Sequence, residues 1–332
     1  MTMKLRTVIA LSLLLLALLA ANALADGTLT LPAGLKTVDT EAFYGVKGFE
    51  KLVIPEGVTE IRSRAFANSS VKSISFPVTL TSIAEDAFDG CGMFNVSVTV
   101  GSYAYRWCLD HGYISKPDPT PAEYFTYATI NGLYAQITGY TGTDTVVVIP
   151  EKIDDYIIQK VSDNTFKNNK TIKYVCVPDT VTEIGAYAFY GCTSLVGVDV
   201  GQCVKTIDDY AFTGCKAIQD IDFPENLLTV GISAFSGCDG LTSINLPDTV
   251  TSIATGAFKD CINISDFHYP KNLEKSVTGY GFGGVFSGCK KLTRITVPEG
   301  VKKIPNYMFA YSDYLKRVYL GTVHKLLIHY NL

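Results

Sequence analysis

Six cysteines in the sequence each stand three residues after a phenylalanine: Cys91, Cys192, Cys215, Cys238, Cys261 and Cys289. A recurring thiol could serve as a nucleophile, a metal ligand or half of a disulfide, and each of these chemistries needs companions. A nucleophile needs a base beside it, yet the histidines, His111, His268, His324 and His329, are scattered. No Cys-x-x-Cys occurs and the histidines lack metal-ligand spacing, so neither zinc nor Cys-His catalysis is expected, and no cofactor is implied. The total of nine cysteines is odd, which excludes complete pairing within one molecule. Cys108, Cys176 and Cys203 lie off the series. Cys176 is expected to point outward from its strand, as an exposed thiol or a half-buried structural one.

GYGFGG at 279–284 matches the G-x-G-x-x-G spacing that cradles a pyrophosphate. That chemistry requires a strand before the glycines and a helix after them. Here they fall in an insertion ahead of Phe286, and a surface loop is expected.

Self-similarity reveals the elements that position the cysteines. AFYGC (188–192), AFTGC (211–215), AFSGC (234–238), AFKDC (257–261) and VFSGC (285–289) are copies of one unit. The repeat phenylalanines are Phe43, Phe66, Phe88, Phe166, Phe189, Phe212, Phe235, Phe258, Phe286 and Phe309, mostly 23 residues apart. A proline repeatedly precedes the phenylalanine by eleven residues, as in Pro178/Phe189 and Pro247/Phe258, with Gly201 standing in before Phe212. Ile244 and Leu246 alternate with Ser243 and Asn245, the period of a short strand with one buried face, and Pro247 ends its ladder for want of an N–H. One unit cannot bury its apolar residues, whereas stacked units share a core and pair their strands into a parallel sheet. The fold class is therefore a repeat solenoid, α/β to mainly β. Equivalent cysteines on stacked coils lie about 4.8 Å apart with parallel side chains, which favours a buried ladder of free thiols over disulfides.

Outward strand positions form the broad face on which a solenoid binds partners. Counting four and two residues before the proline or its equivalent gives Tyr174/Cys176, Gly197/Asp199, Asp220/Asp222, Ser243/Asn245, Asp266/His268, Arg294/Thr296 and Arg317/Tyr319. The middle of this face is acidic and its end basic. Asp199, Asp222, Asn245 and His268 are predicted to share one column, suited to a basic or hydroxyl-rich ligand with or without a cation.

The unit, written as LPDTVTSIATGAF (246–258) and GCTSLVGVDV (191–200), resembles the BspA-type leucine-rich repeat of exported bacterial and protist proteins, over residues 28–320. The resemblance implies right-handed coils of about 23 residues with a parallel sheet on one face. It also implies attachment to host matrix proteins or other cells, without enzymatic activity. GSYAYRWCLDHGYIS (101–115) resembles the helix-and-strand tail that closes such arrays, and residues 124–150 resemble the hairpin that opens them.

Two arrays are expected. Residues 26–114 hold three repeats and the cap, with a helix from Ser102 to Asp110 ended by Gly112. SKPDPTPAE (115–123) reads as a stiff exposed linker. Residues 124–332 hold a hairpin, with Asn131-Gly132 as a type I′ turn, and then seven repeats. The first and sixth of these carry insertions expected to be loops, and no capping tail is recognised at the far end. Either the natural chain is truncated here, or the last coil is covered by a partner or pairs end to end with another copy, which makes a structural, self-assembling role the alternative to adhesion.

Lys4 and Arg6 precede an apolar run and the small residues Ala23 and Ala25, the pattern of a secretory signal peptide (1–25) cleaved after Ala25. The remaining chain has 26 basic and 32 acidic residues in mixed order, so nucleic acid is a poor partner, and it holds no second apolar run fit for a membrane span. A secreted or cell-surface protein that binds an extracellular protein or glycan is expected.

Overall fold

A computed structural model of the chain describes residues 27–219, 221–276 and 283–321, and the backbone of His324–Leu326. The leader-like segment 1–25, Asp220, residues 279–282 of GYGFGG and His329 lie outside these described residues. The chain forms two compact units that divide between Lys116 and Pro117. Both are solenoids in which each coil hydrogen-bonds to the next.

In the first unit a ladder of parallel strands, Thr28–Thr30, Lys51–Val53, Ser73–Ser75 and Asn95–Ser97, pairs residue for residue. Its central residues Leu29, Leu52 and Ile74 are buried, as the alternation predicts. A second, narrower ladder joins Thr37–Val38, Glu60–Ile61 and Ser82–Ile83. Helix Tyr103–Asp110 closes the unit; the Ser102 hydroxyl accepts the Tyr105 N–H at 3.1 Å, and Gly112 beyond its end adopts φ +71°. The helix of the expected tail is present, but no strand follows it. Instead Tyr113 folds back, its ring 4.0 Å from that of Phe94, so aromatic stacking takes the place of a backbone ladder.

The second unit repeats the plan. Its wide ladder runs through Val146–Val148, Tyr174–Cys176 and Gly197–Asp199 with a bridge to Asp222, and then through Ser243–Asn245, Asp266–His268, Arg294–Val297 and Arg317–Leu320. The narrow ladder takes in Tyr156–Val161, Glu183–Ile184, Thr206–Ile207, Thr229–Val230 and Ser252–Ile253. Two ladders per coil exceed the one strand expected. After Tyr156–Val161 the second consists of two-residue strands, too short for alternation to be seen, and each turns one β-branched residue inward: Ile184, Ile207, Val230 and Ile253 are fully buried.

Between the ladders the chain turns at the proline, whose carbonyl accepts the N–H three residues on, as from Val181 to Pro178 at 3.0 Å and from Val250 to Pro247 at 3.1 Å. The second corner is the phenylalanine turn. The residue two after the phenylalanine has positive φ in every coil: glycine at 45, 90, 191, 214, 237 and 288, Asn68, Asn168 and Asp260 in three others, and Tyr311 in the last. Glycine adopts this conformation without a Cβ clash and Asn or Asp tolerate it, which accounts for the Gly of AFxGC.

Four expectations are revised. The hairpin Phe125–Thr129/Tyr134–Tyr140 exists, but Asn131 and Gly132 are not among the positive-φ residues that a type I′ turn requires. Instead the Asn131 side chain closes a longer loop by accepting the N–H groups of Leu133 and Tyr134. The insertion after Pro150 is an antiparallel hairpin, Lys152–Ile153 with Tyr156–Val161, rather than a loop; Asp154 at φ +50° makes its tight turn. Within the expected linker, Thr120 is buried and hydrogen-bonded at 2.9 Å both to and from Val148, covering the first edge of the wide ladder. At the other edge, His324–Leu326 returns antiparallel along Arg317–Leu320, where cover by a partner or a second copy was expected.

The repeat phenylalanines stack as a column with near-parallel rings, 4.9–5.5 Å apart from Phe166 to Phe258. Phe235, fully buried between Phe212 and Phe258, also meets the edge of Phe223 at 5.5 Å. Phe235→Ala is expected to cost about 3–5 kcal/mol. Urea unfolding followed by circular dichroism measures this, and an unchanged midpoint would remove the column from the stabilising contacts.

Candidate functional site

Ile244 and Phe267 turn into the core, and alternation turns their neighbours Ser243, Asn245, Asp266 and His268 the other way. Register then sets these neighbours in columns. Cys176, Asp199 and Asp222 follow one another in one stretch, and Asn245, His268, Thr296 and Tyr319 in another; beside them run Ser243 with Asp266 and Arg294 with Arg317. Asp222, Asn245, Asp266, His268, Arg294 and Arg317 are exposed, and Asp199, Ser243 and Tyr319 are half-buried. Asp220 is outside the described residues.

The start of the face departs from expectation. Tyr174, Cys176 and Gly197 are buried, so Cys176 is not an exposed thiol. The apolar residues Val146, Val148, Tyr174 and Cys176 on these two strands make this end unsuited to water, and Thr120 fixes its edge. Cys203 is the exposed cysteine.

Charges next to the columns restrain one member. His268 Nε2 lies 3.6 Å from Asp248, whose other oxygen accepts from Lys271 Nζ at 2.7 Å. The lysine hydrogen bond holds the Asp248 carboxyl below its usual range, so Asp248 offers His268 a stable negative neighbour. Among the described residues no cluster of three or more His, Cys, Asp or Glu is placed to hold a metal.

The cysteine ladder has a definite local cause. Each thiol donates to the carbonyl of the repeat phenylalanine one coil back: Cys192 to Phe166 and Cys215 to Phe189, both at 3.0 Å, Cys238 to Phe212 at 3.2 Å, and Cys261 to Phe235 and Cys289 to Phe258, both at 3.0 Å. Cys91 does the same to Phe66 at 3.1 Å and is half-buried. All nine cysteines are free. Burial pushes the thiols of Cys215, Cys238, Cys261 and Cys289 up, Cys289 to about 12. A thiol held protonated in a dry core is a poor nucleophile.

The repeat register agrees with what the chain is similar to. The family model described as the BspA type leucine rich repeat region matches in six copies, over residues 26–114, 159–283 and 233–327. The chain belongs to the BspA-type leucine-rich repeat family. A solved leucine-rich repeat protein from T. pallidum is 28% identical with a TM-score of 0.53, covering 60% of this chain and 91% of that one. A leucine rich cell surface protein from Faecalibacterium prausnitzii is 22% identical with a TM-score of 0.34, covering 89% and 60%. The pneumococcal vaccine antigen PcpA is 14% identical with a TM-score of 0.40, covering 90% and 80%. Comparison with curated proteins gave no match.

In this BspA-type chain the motif cysteine is thus a backbone partner, a role that its spacing from the phenylalanine signals only once coils are stacked. His111 is likewise structural: it stacks on Trp107 at 4.0 Å and bonds Glu85 at 3.0 Å. Cys192→Ala is expected to cost about 1–2 kcal/mol through a small cavity and a lost hydrogen bond. A thiol whose pKa rises on folding stabilises fully below its unfolded value and loses that contribution as pH climbs toward the folded one. For Cys289 the interval runs from 9.0 to about 12. Thermal melts are therefore expected to be level up to about pH 8.5 and to fall above about pH 9, by up to about 1.4 kcal/mol per pH unit for each such thiol. Cys289→Ala should lessen the fall, and an equal fall in the variant would refute the assignment.

Proposed function

We propose that this chain is an exported, cell-surface or secreted binding protein without enzymatic activity, whose wide-ladder outer face attaches to an extracellular protein or glycan. The observation that carries the proposal is the polar outer face with exposed Asp222, Asn245, Asp266 and His268 and half-buried Asp199, whose inward neighbours lie in the core. Side chains mounted on paired backbone lose little freedom on binding, so a rigid ladder presents several weak contacts at once. Membership of a repeat family supports a binding scaffold, and the leader-like residues 1–25 support export. Burial raises the thiols of Cys215, Cys238, Cys261 and Cys289, which makes these four poor nucleophiles and supports a structural part for them.

The acidic stretch suits a basic or hydroxyl-rich partner surface, such as a lysine-rich segment of a matrix protein. Purified chain tested against immobilised matrix proteins and a glycan array identifies the partner. Asp199→Ala combined with Asp222→Ala is expected to weaken that binding about tenfold without lowering the melting temperature, because neither side chain enters the core. Undiminished binding by the double variant would place attachment elsewhere.

A further inference from the structure

Some charges in this protein are matched by opposite ones on the neighbouring coil. Arg62 pairs with Asp39 at 3.1 Å, Arg64 with Glu41 at 3.0 Å, Lys160 with Glu183 at 2.6 Å and Lys271 with Asp248 at 2.7 Å, each across one coil step. The basic end of the wide ladder instead sets two like charges together. Arg294 and Arg317 stand directly opposite one another in register, both exposed, and among the described residues neither has a carboxylate within ion-pair distance. The segments outside the description nearest in sequence, 277–282 and 322–332, contain no Asp or Glu. Residues 283–321 hold seven Lys or Arg against two acidic residues, so the local surplus is large. Like charges facing each other across a ladder destabilise it, whereas an anion between two guanidinium forks turns the repulsion into charge-assisted hydrogen bonding.

The neighbouring column narrows the anion's class. Thr296 and Tyr319 are opposite in register, Thr296 exposed and Tyr319 half-buried, offering a hydroxyl pair and a partly shielded ring beside the arginines. A ring with a polar tip accepts the C–H face of a sugar while hydroxyls meet its hydroxyls. Asp266 and His268 stand one coil earlier, with His268 in register with Thr296, so Asp266 bounds the basic patch. A long uniform polyanion such as nucleic acid would run onto that carboxylate, whereas a single charged group would not.

Resting on the outer face as a binding surface, we infer that its basic end takes an acidic sugar residue, with a carboxylate or sulfate held between Arg294 and Arg317 and the ring lying toward Thr296 and Tyr319. Fluorescent tetrasaccharide probes test this: one ending in a uronate, one carrying a single sulfate ester, and their uncharged parent, alongside a tetraglutamate peptide. The purified chain is expected to bind the uronate or the sulfate probe at least about tenfold more tightly than the parent, and which of the two it binds identifies the source of the oxyanion. Arg294→Gln with Arg317→Gln should abolish the preference without lowering the melting temperature, and Arg317→Lys should retain part of it, since charge remains while the fork is lost. Equal affinity for the parent, an unaffected double variant, tighter binding of tetraglutamate, or no binding of either acidic probe each overturns the inference. A chain that ignores both acidic probes yet binds a matrix protein or neutral glycan through Asp199 and Asp222 keeps the function proposed above and loses only this site.

Discussion

The phenylalanine turn is the joint on which the rest of this solenoid depends. The N–H of Phe189 reaches forward to the Ala211 carbonyl at 2.7 Å, while its own carbonyl receives the Cys192 N–H from the same coil and the Cys215 thiol from the next. The ring meanwhile stacks between Phe166 and Phe212, each 4.9 Å away. Backbone donor, backbone acceptor and side chain of one residue are all engaged across coil boundaries, in a place without water to substitute for any of them. This fixes the rise from one coil to the next and, with it, the register of both ladders.

Once that register is set, the outer face follows from geometry. Its residues take little part in holding the coils together: Ser243, Asn245, Asp266 and His268 leave the inward work to Ile244 and Phe267. Residue types on the face are therefore free to change from one coil to the next, and they do, from apolar at Val148 and Cys176 through acidic at Asp199 and Asp222 to basic at Arg294 and Arg317. Inward positions show the reverse. Phenylalanine, cysteine and branched aliphatics recur because each must fit the same residue above and below it.

The architecture was legible because its signals recur: one Phe-to-Cys spacing, seen once, carries no weight, and seen six times it defines a core. The narrow ladder was not legible, since Ser252–Ile253 and its counterparts are too short to show a period. Cys176 lies on the outer column as alternation implied, yet it is buried, because alternation distinguishes faces without saying which face is wet; the apolar company of Val146, Val148 and Tyr174 was the signal to weigh. The Asn131-Gly132 pair followed local turn preference, but the Asn131 side chain offered the loop a competing set of hydrogen bonds. Of the candidate face, the columns at Asp199, Asn245, His268 and Tyr319 could be counted from the proline. The tie of His268 to Asp248 and Lys271 could not, because those partners come from the turns and not from the strands.

The glycine of each phenylalanine turn bears on how such a chain changes over generations. Gly191, Gly214 and Gly237 give successive coils the same left-handed corner, so the end of one coil matches the beginning of almost any other. A gene segment encoding 23 residues can therefore be duplicated, lost or exchanged within the array while the joints on either side still close. Each such event would insert or delete a rung of recognition residues between neighbours that keep their own. The breadth and charge order of the contact surface would then be inherited as a count and sequence of modules, and lineages could diverge in what they grip without first redesigning how they fold.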